Sequence, residues 1–215
     1  MTDRPLAVAH RAGNDLGALW AAEALGVDMV EADLHLFGGR IEVRHLKTVG
    51  PLPILWDRWW IASPFTPRMT LQQLLAAAAP GTELLLDLKG PRVELARATR
   101  DIVMAECRGR RVTVCARNWR LLRPFRDVPG VRIAHTVATA GRLRAFPRVA
   151  RDAEVASIDH RLLTRSALAG IPRLAPLVLA WGVADLERMR ELRDAGVGGF
   201  ITSEMHVLRA ILGLV

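Results

Sequence analysis

Short apolar runs rich in Val, Leu, Ile and Ala recur along the chain, separated by longer stretches in which apolar positions return every three to four residues. The runs cover residues 6–10, 29–36, 83–89, 111–117, 132–137, 155–159, 177–183 and 198–203, and each predicts a strand. Helices are predicted near 15–25, 70–79, 91–107, 118–126, 139–149, 163–169, 185–194 and 205–213. A strand followed by a helix, eight times over, is the count that closes a (β/α)8 TIM barrel. A doubly wound open sheet is the competing α/β fold, but the first turn, HRAGNDL, lacks the G-x-G-x-x-G that would cradle a dinucleotide. The longest interruption, residues 37–70, carries IEVRHL and then a loop rich in proline and tryptophan, GPLPILWDRWWIASPFTP. It reads as an insertion after the second strand, at the end of the barrel where loops build an active-site mouth. The predicted organisation is a single domain over 1–215 with a small insertion at 37–70.

Composition narrows the function classes. With 215 residues, of which 51% are apolar and 24% charged, the chain is long enough to bury a substantial core. Its formal net charge is +8, yet the arginines are scattered over helix-like segments and form no basic run interleaved with aromatics. That distribution argues against a nucleic-acid groove and leaves small anionic substrates favoured. Cys107 and Cys115 have no C-x-x-C spacing, so neither a disulfide framework nor a thiolate zinc site is expected. The N-terminus enters an apolar strand too early for a signal peptide, and the longest uncharged stretch, 69–82, falls short of the ~18 apolar residues of a membrane span. A soluble, cytoplasmic protein is expected. Oligomeric state is not legible.

The candidate chemistry sits at strand ends. The first strand ends in His10-Arg11, the second carries Glu31 and Asp33, and the third carries Asp87 and Lys89. Side chains alternate across a strand, so Glu31 and Asp33 face one way, as do Asp87 and Lys89, and both pairs can point into one mouth. Three converging carboxylates repel by roughly 4 kcal/mol per close pair at an effective dielectric near 20, so something positive must offset them. Ordinary salt bridges to arginine would explain a lone acid. Three acids on adjacent strands in apolar surroundings point instead to a hard divalent cation, Mg2+ or Ca2+, since zinc would recruit His or Cys. His35 follows at the same period.

In these strand-end residues the sequence resembles the glycerophosphodiester phosphodiesterase family. The segment AHRAGNDLGALWAAEALGVDMVEADLHL followed by IEVRH is similar to its opening, which runs HRG, a helix, a G-x-D-x-x-E-x-D strand and a later histidine. ELLLDLKG resembles the next strand, and LVLAWGV and AGVGGFITSEM resemble the last two. The resemblance implies that His10 and His45 are the general acid and base and that Glu31, Asp33 and Asp87 hold a metal. It further implies that Arg11 and Lys89 hold the phosphate, and Trp181 is a candidate wall of the substrate pocket. The implied substrate is a small phosphodiester, cleaved to sn-glycerol 3-phosphate and an alcohol. Three departures stand out: Asp87 where the family usually has glutamate, Leu46 where aspartate follows the second histidine, and a first loop shortened to Gly13-Asn14-Asp15.

Two alternatives accompany this expectation. One is a phospholipase-type phosphodiesterase of the same superfamily, with Trp56, Trp59 and Trp60 dipping into lipid, although membrane contact is not favoured. The other is a catalytically silent barrel that binds a phosphorylated ligand.

Overall fold

The computed structural model describes residues 4–48, 54–57, 60–62, 68–107, 109–150, 153–170 and 175–215. Eight parallel strands follow the predicted runs to within a residue or two: β1 Leu6–Ala9, β2 Met29–Phe37, β3 Glu83–Leu88, β4 Val112–Ala116, β5 Val131–Val137, β6 Val155–Asp159, β7 Leu177–Trp181 and β8 Gly199–Thr202. Each pairs with the next, and β1 pairs with both β2 and β8, which closes the sheet into a barrel. The helices are α1 Leu16–Leu25, α2 Leu71–Ala77, α3 Val93–Glu106, α4 Ala140–Val149, α5 Arg165–Leu168, α6 Leu186–Asp194 and α7 Met205–Ile211. Between β4 and β5 the predicted helix is a 3₁₀ turn, Trp119–Phe125, containing Pro124. Proline removes a backbone donor, which disfavours a regular α-helix there.

The barrel bore is filled by an apolar layer to which every strand contributes one residue: Val8, Met29, Leu85, Cys115, Ala134, Val155, Leu179 and Ile201. Because side chains alternate, the residue two positions further along each strand also points inward, one step nearer the C-terminal mouth. His10, Glu31, Asp87, Thr136 and Trp181 all lie at that step. The apolar layer is therefore the floor of the site. Below it, Glu83 is buried and accepts a hydrogen bond from Thr113 Oγ1 at 2.9 Å, with Arg132 bonded to it and Arg111 3.4 Å away. The outward faces of the strands, Ala7, Ala9, Val30, Ala32, Leu84 and Leu86 among them, pack under the helices in the main core.

Closure between β8 and β1 depends on Gly199, where an added Cβ would lie 2.6 Å from Leu179 Cδ2 and 2.9 Å from Leu6 Cβ. The strands come together there because no side chain stands between them.

After β2 the chain turns back as the antiparallel strand Arg40–Val43, which in turn pairs with Met69–Thr70. This hairpin brings the backbone N–H of Arg44 to the carbonyl of Asp33 at 2.9 Å and so delivers His45 to the mouth. Lys47–Thr48, Leu55–Asp57 and Trp60–Ala62 form a separate antiparallel sheet. On it Trp56 is exposed, with Lys47 Nζ 5.8 Å from its ring; Trp59 lies outside the described residues. Among the described residues no helix is long and apolar enough to cross a membrane. Cys107 and Cys115 are both free and buried.

Candidate active site

Glu31, Asp33 and Asp87 are all buried, and each presents a carboxylate oxygen within 4.8 Å of the others. β2 and β3 run in register with Asp33 opposite Asp87, so the acids meet because two adjacent strands carry them at matching heights. Lys89, two residues beyond Asp87, turns its ammonium between them, 2.6 Å from Asp33 Oδ1 and bonded to Asp87 Oδ2. One ammonium among three carboxylates leaves the group net negative.

That imbalance is visible in the titration of the acids. Glu31 is pushed well above the ordinary glutamate value by burial and by the neighbouring Asp33 charge, and burial likewise raises Asp87 despite Lys89. Asp33 goes the other way: burial works against its ionisation, but a hydrogen bond from His45, the Lys89 charge and a bond from Asn14 hold it well below the carboxylate range. Lys89 is raised against the effect of burial by the Asp87, Asp33 and Glu31 charges. Asp87 Oδ1 is buried without a hydrogen-bond partner. A group that stays partly unbalanced, with a buried oxygen left over and no nitrogen or sulfur donor among the three acids, fits a hard divalent cation.

The first turn locks onto these acids. Arg11 adopts a left-handed conformation, φ 58°, the only positive φ outside glycine among the described residues. Strain of this kind persists where the surroundings enforce it. Here it aims the Arg11 N–H at Glu31 Oε2, 2.6 Å away, while the guanidinium stays partly exposed, 3.7 Å from Asp33. Asn14 follows in the 3₁₀ turn Ala12–Asn14 and bonds Asp33 twice.

His45 Nδ1 lies 3.1 Å from Asp33 Oδ2. With Asp33 ionised, Nδ1 carries the hydrogen in the neutral ring and Nε2 is left as the acceptor. His10, at the end of β1, is pushed down to about 4 by burial and by the Arg11 charge, with Asp33, Lys89 and His45 acting on it as well. Both rings therefore belong to the same mouth as the acids. Trp181 closes the opposite side, its ring packed on the apolar floor.

His35, at the same period as Glu31 and Asp33, turns toward the same mouth and is pushed down to about 3 by burial and by Arg44. With Lys89 it lines a cleft of about 800 Å³ between the end of β2 and the loop leading to α3, where Phe37 and Arg92 also contribute.

Solved structures with this arrangement of strands and helices are numerous. A glycerophosphodiester phosphodiesterase from Thermotoga maritima superposes over 100% of this chain and 100% of its own, at 18% identity and a TM-score of 0.75. One from Parabacteroides distasonis covers 99% and 98%, at 19% identity and 0.78. A phosphodiesterase from Oleispira antarctica, in complex with the product sn-glycerol-3-phosphate, covers 98% and 97%, at 16% identity and 0.78. The chain has the fold of the glycerophosphodiester phosphodiesterases. No protein-family model and no curated protein sequence matches it. At these identities the likeness fixes the architecture alone.

Two features of the mouth do not follow from spacing. Arg117, one residue past β4, lies over the Trp181 ring at 5.5 Å. The only sequence signal was its parity with Cys115, which needed the barrel to become meaningful. The twofold attachment of Asn14 to Asp33 likewise depends on a turn conformation that no periodicity records.

Proposed function

We propose that the protein is a metal-dependent phosphodiester hydrolase that cleaves glycerophosphodiesters to sn-glycerol 3-phosphate and an alcohol. The reading rests on one observation: three buried carboxylates from adjacent strands share one small volume, and two histidines flank it. A phosphodiester carries a negative charge that must be neutralised before a nucleophile can approach phosphorus, and its leaving alkoxide must receive a proton.

Glu31, Asp33 and Asp87 are the residues that would hold the cation, Mg2+ or Ca2+. When bound, the cation supplies positive charge to the nonbridging oxygens of the diester. Lys89 and the partly exposed Arg11 guanidinium add to that charge, the latter able to offer a fork of donors. His45 is oriented by Asp33, whose carboxylate also stabilises the protonated ring. One histidine of the His10 and His45 pair takes the proton of the nucleophile, and the other returns a proton to the leaving alkoxide. Trp181 walls the pocket on the far side.

Leu46, in place of an acid after His45, does not leave that ring unoriented, because Asp33 supplies the carboxylate from β2. This supports an active site over a silent one.

The test is a screen of glycerophosphodiesters with Mg2+, with Ca2+ and with a chelator, run on the wild type, His10→Ala and His45→Ala. Release of glycerol phosphate is expected only with the cation, and each substitution is expected to lower kcat by roughly 10²- to 10⁴-fold. Turnover indifferent to both chelation and the histidines would refute the mechanism.

A further inference from the structure

The barrel mouth is chemically divided. Strands β1 to β3 and the hairpin after β2 bring Glu31, Asp33, Asp87, Lys89 and the two histidines; the other side, from β4 to β7, carries Arg117, Thr136, Trp181 and one acid, Asp159. Arg117 points inward by its parity with Cys115 and reaches across to Trp181, three strands around the barrel, its guanidinium carbon 5.5 Å from the ring centroid. Among the described residues no carboxylate pairs with it, whereas Asp159 on the same side is already held by Arg161 through contacts of 2.9 and 2.6 Å. Beside it, Trp181 Nε1 is buried without a hydrogen-bond partner, while Thr136 on the neighbouring strand is engaged with Cys115. An unneutralised guanidinium with an unused indole N–H at its side suits an anion rich in acceptors.

We propose that Arg117, seated on Trp181, is a specificity-determining residue that selects diesters whose leaving alcohol carries a negative charge. The inference rests on the hydrolase reading above for the direction in which the substrate lies: the scissile phosphate sits at the acid and histidine side, and the alcohol extends across the mouth. A leaving group bearing an anion meets Arg117 there. One bearing a quaternary ammonium meets a like charge, and the indole face that would receive it is already covered by the guanidinium.

Three diesters with a common glycerol phosphate half separate the cases: one with choline as the alcohol, one with glycerol, and one with a glycerol that carries a further phosphate. With the Mg2+-loaded wild type, kcat/KM is expected to rise in that order. In Arg117→Gln the ratio of the anionic to the cationic substrate should fall by about ten-fold, the scale of one charged hydrogen bond, while Arg117→Lys should retain most of the preference. A ratio that stays within about two-fold of the wild type in Arg117→Gln, or a wild type that prefers the choline diester, overturns the inference. The same three compounds are titrated into His10→Ala and His10→Ala/Arg117→Gln, so that binding is read without turnover. If the wild type hydrolyses none of them yet the anionic diester binds more tightly through Arg117, the hydrolase reading fails and the selectivity stands. If that difference in affinity is absent, the selectivity fails whatever the turnover.

Discussion

Asn14 and Asp33 are joined by two hydrogen bonds: the Asn14 amide donates to Asp33 Oδ2 at 2.9 Å, and the Asn14 oxygen accepts from the Asp33 backbone N–H at 2.8 Å. The first turn is thereby clamped to the strand that carries the acids, and Oδ2 is shared with His45. In Asn14→Ala the Asp33 N–H loses its acceptor and Oδ2 loses a donor, at roughly 1–3 kcal/mol of stability. Activity should fall by about 10- to 100-fold, the range for groups that orient a metal ligand. In Asn14→Asp a carboxylate replaces the donor facing Asp33, so the loss should be at least as large. Steady-state kinetics beside urea denaturation checks both; an Asn14→Asp variant with wild-type kcat would show that the clamp is irrelevant.

Gly13 lies between Arg11, whose N–H bonds Glu31, and Asn14, which bonds Asp33. A Cβ there would come within 2.8 Å of Ala32 Cβ and 3.0 Å of the Glu31 carbonyl, so Gly13→Ala must push the turn off β2. Overpacking of this kind costs roughly 1–3 kcal/mol. The displaced turn also carries Arg11 and Asn14 away from Glu31 and Asp33, and a misplacement approaching 1 Å costs about 10²-fold in rate. Gly13→Ala should therefore lose more activity than its stability explains. Adding Ala32→Gly removes one of the two clashes and should recover part of it; no recovery would place the defect elsewhere.

Lys89 is the cation among three buried acids in the metal-free protein. Lys89→Met leaves only the more distant Arg11 guanidinium to offset their charge, which should destabilise that form by roughly 3 kcal/mol, the lower end for breaking a buried charge group. Mg2+ held at the proposed site would supply the missing charge, so the variant should gain more from it than the wild type does. Thermal melts in chelator and in Mg2+ compare the two gains, and equal gains would exclude a cation bound at these acids.

Much of this was legible in the sequence, and for a physical reason. A closed barrel forces an inward and an outward residue to alternate on every strand, so eight apolar runs announce the fold, and acids at 31, 33 and 87 announce a polar mouth above an apolar floor. The pairing of Asp33 with Asp87 follows from strand register, which periodicity does not carry. The short strands Lys47–Thr48, Leu55–Asp57 and Trp60–Ala62 were hidden because two or three residues are too few to show a period, and proline and tryptophan around them read as loop. By spacing alone Arg117 is one of many scattered arginines. Only the reach across the barrel to Trp181 distinguishes it, and that is a contact between residues 64 positions apart.

His135 offers a test of the packing outside the site. Its ring lies edge-on to Trp119 and Phe146, at centroid separations of 5.5 and 6.0 Å, and its Nδ1 is buried without a partner. Burial, with help from the Arg126 charge, lowers its pKa from the ordinary 6.5. The unfolded chain then binds the proton more readily than the folded one, so this histidine's share of stability is complete above pH 6.5 and is lost as the pH falls below it toward the folded value. Glu31 and Asp87 at the mouth are raised and titrate in the opposite sense, while Asp33 is lowered, so a bare pH profile of the wild type would mix these contributions. His135→Gln removes the histidine contribution alone. Between about pH 7.5 and about pH 5 the urea midpoint of the wild type should therefore drop relative to that of His135→Gln. A gap that stays constant, or that moves in favour of the wild type at the lower pH, would mean that the ring takes up its proton inside the folded protein as easily as outside it.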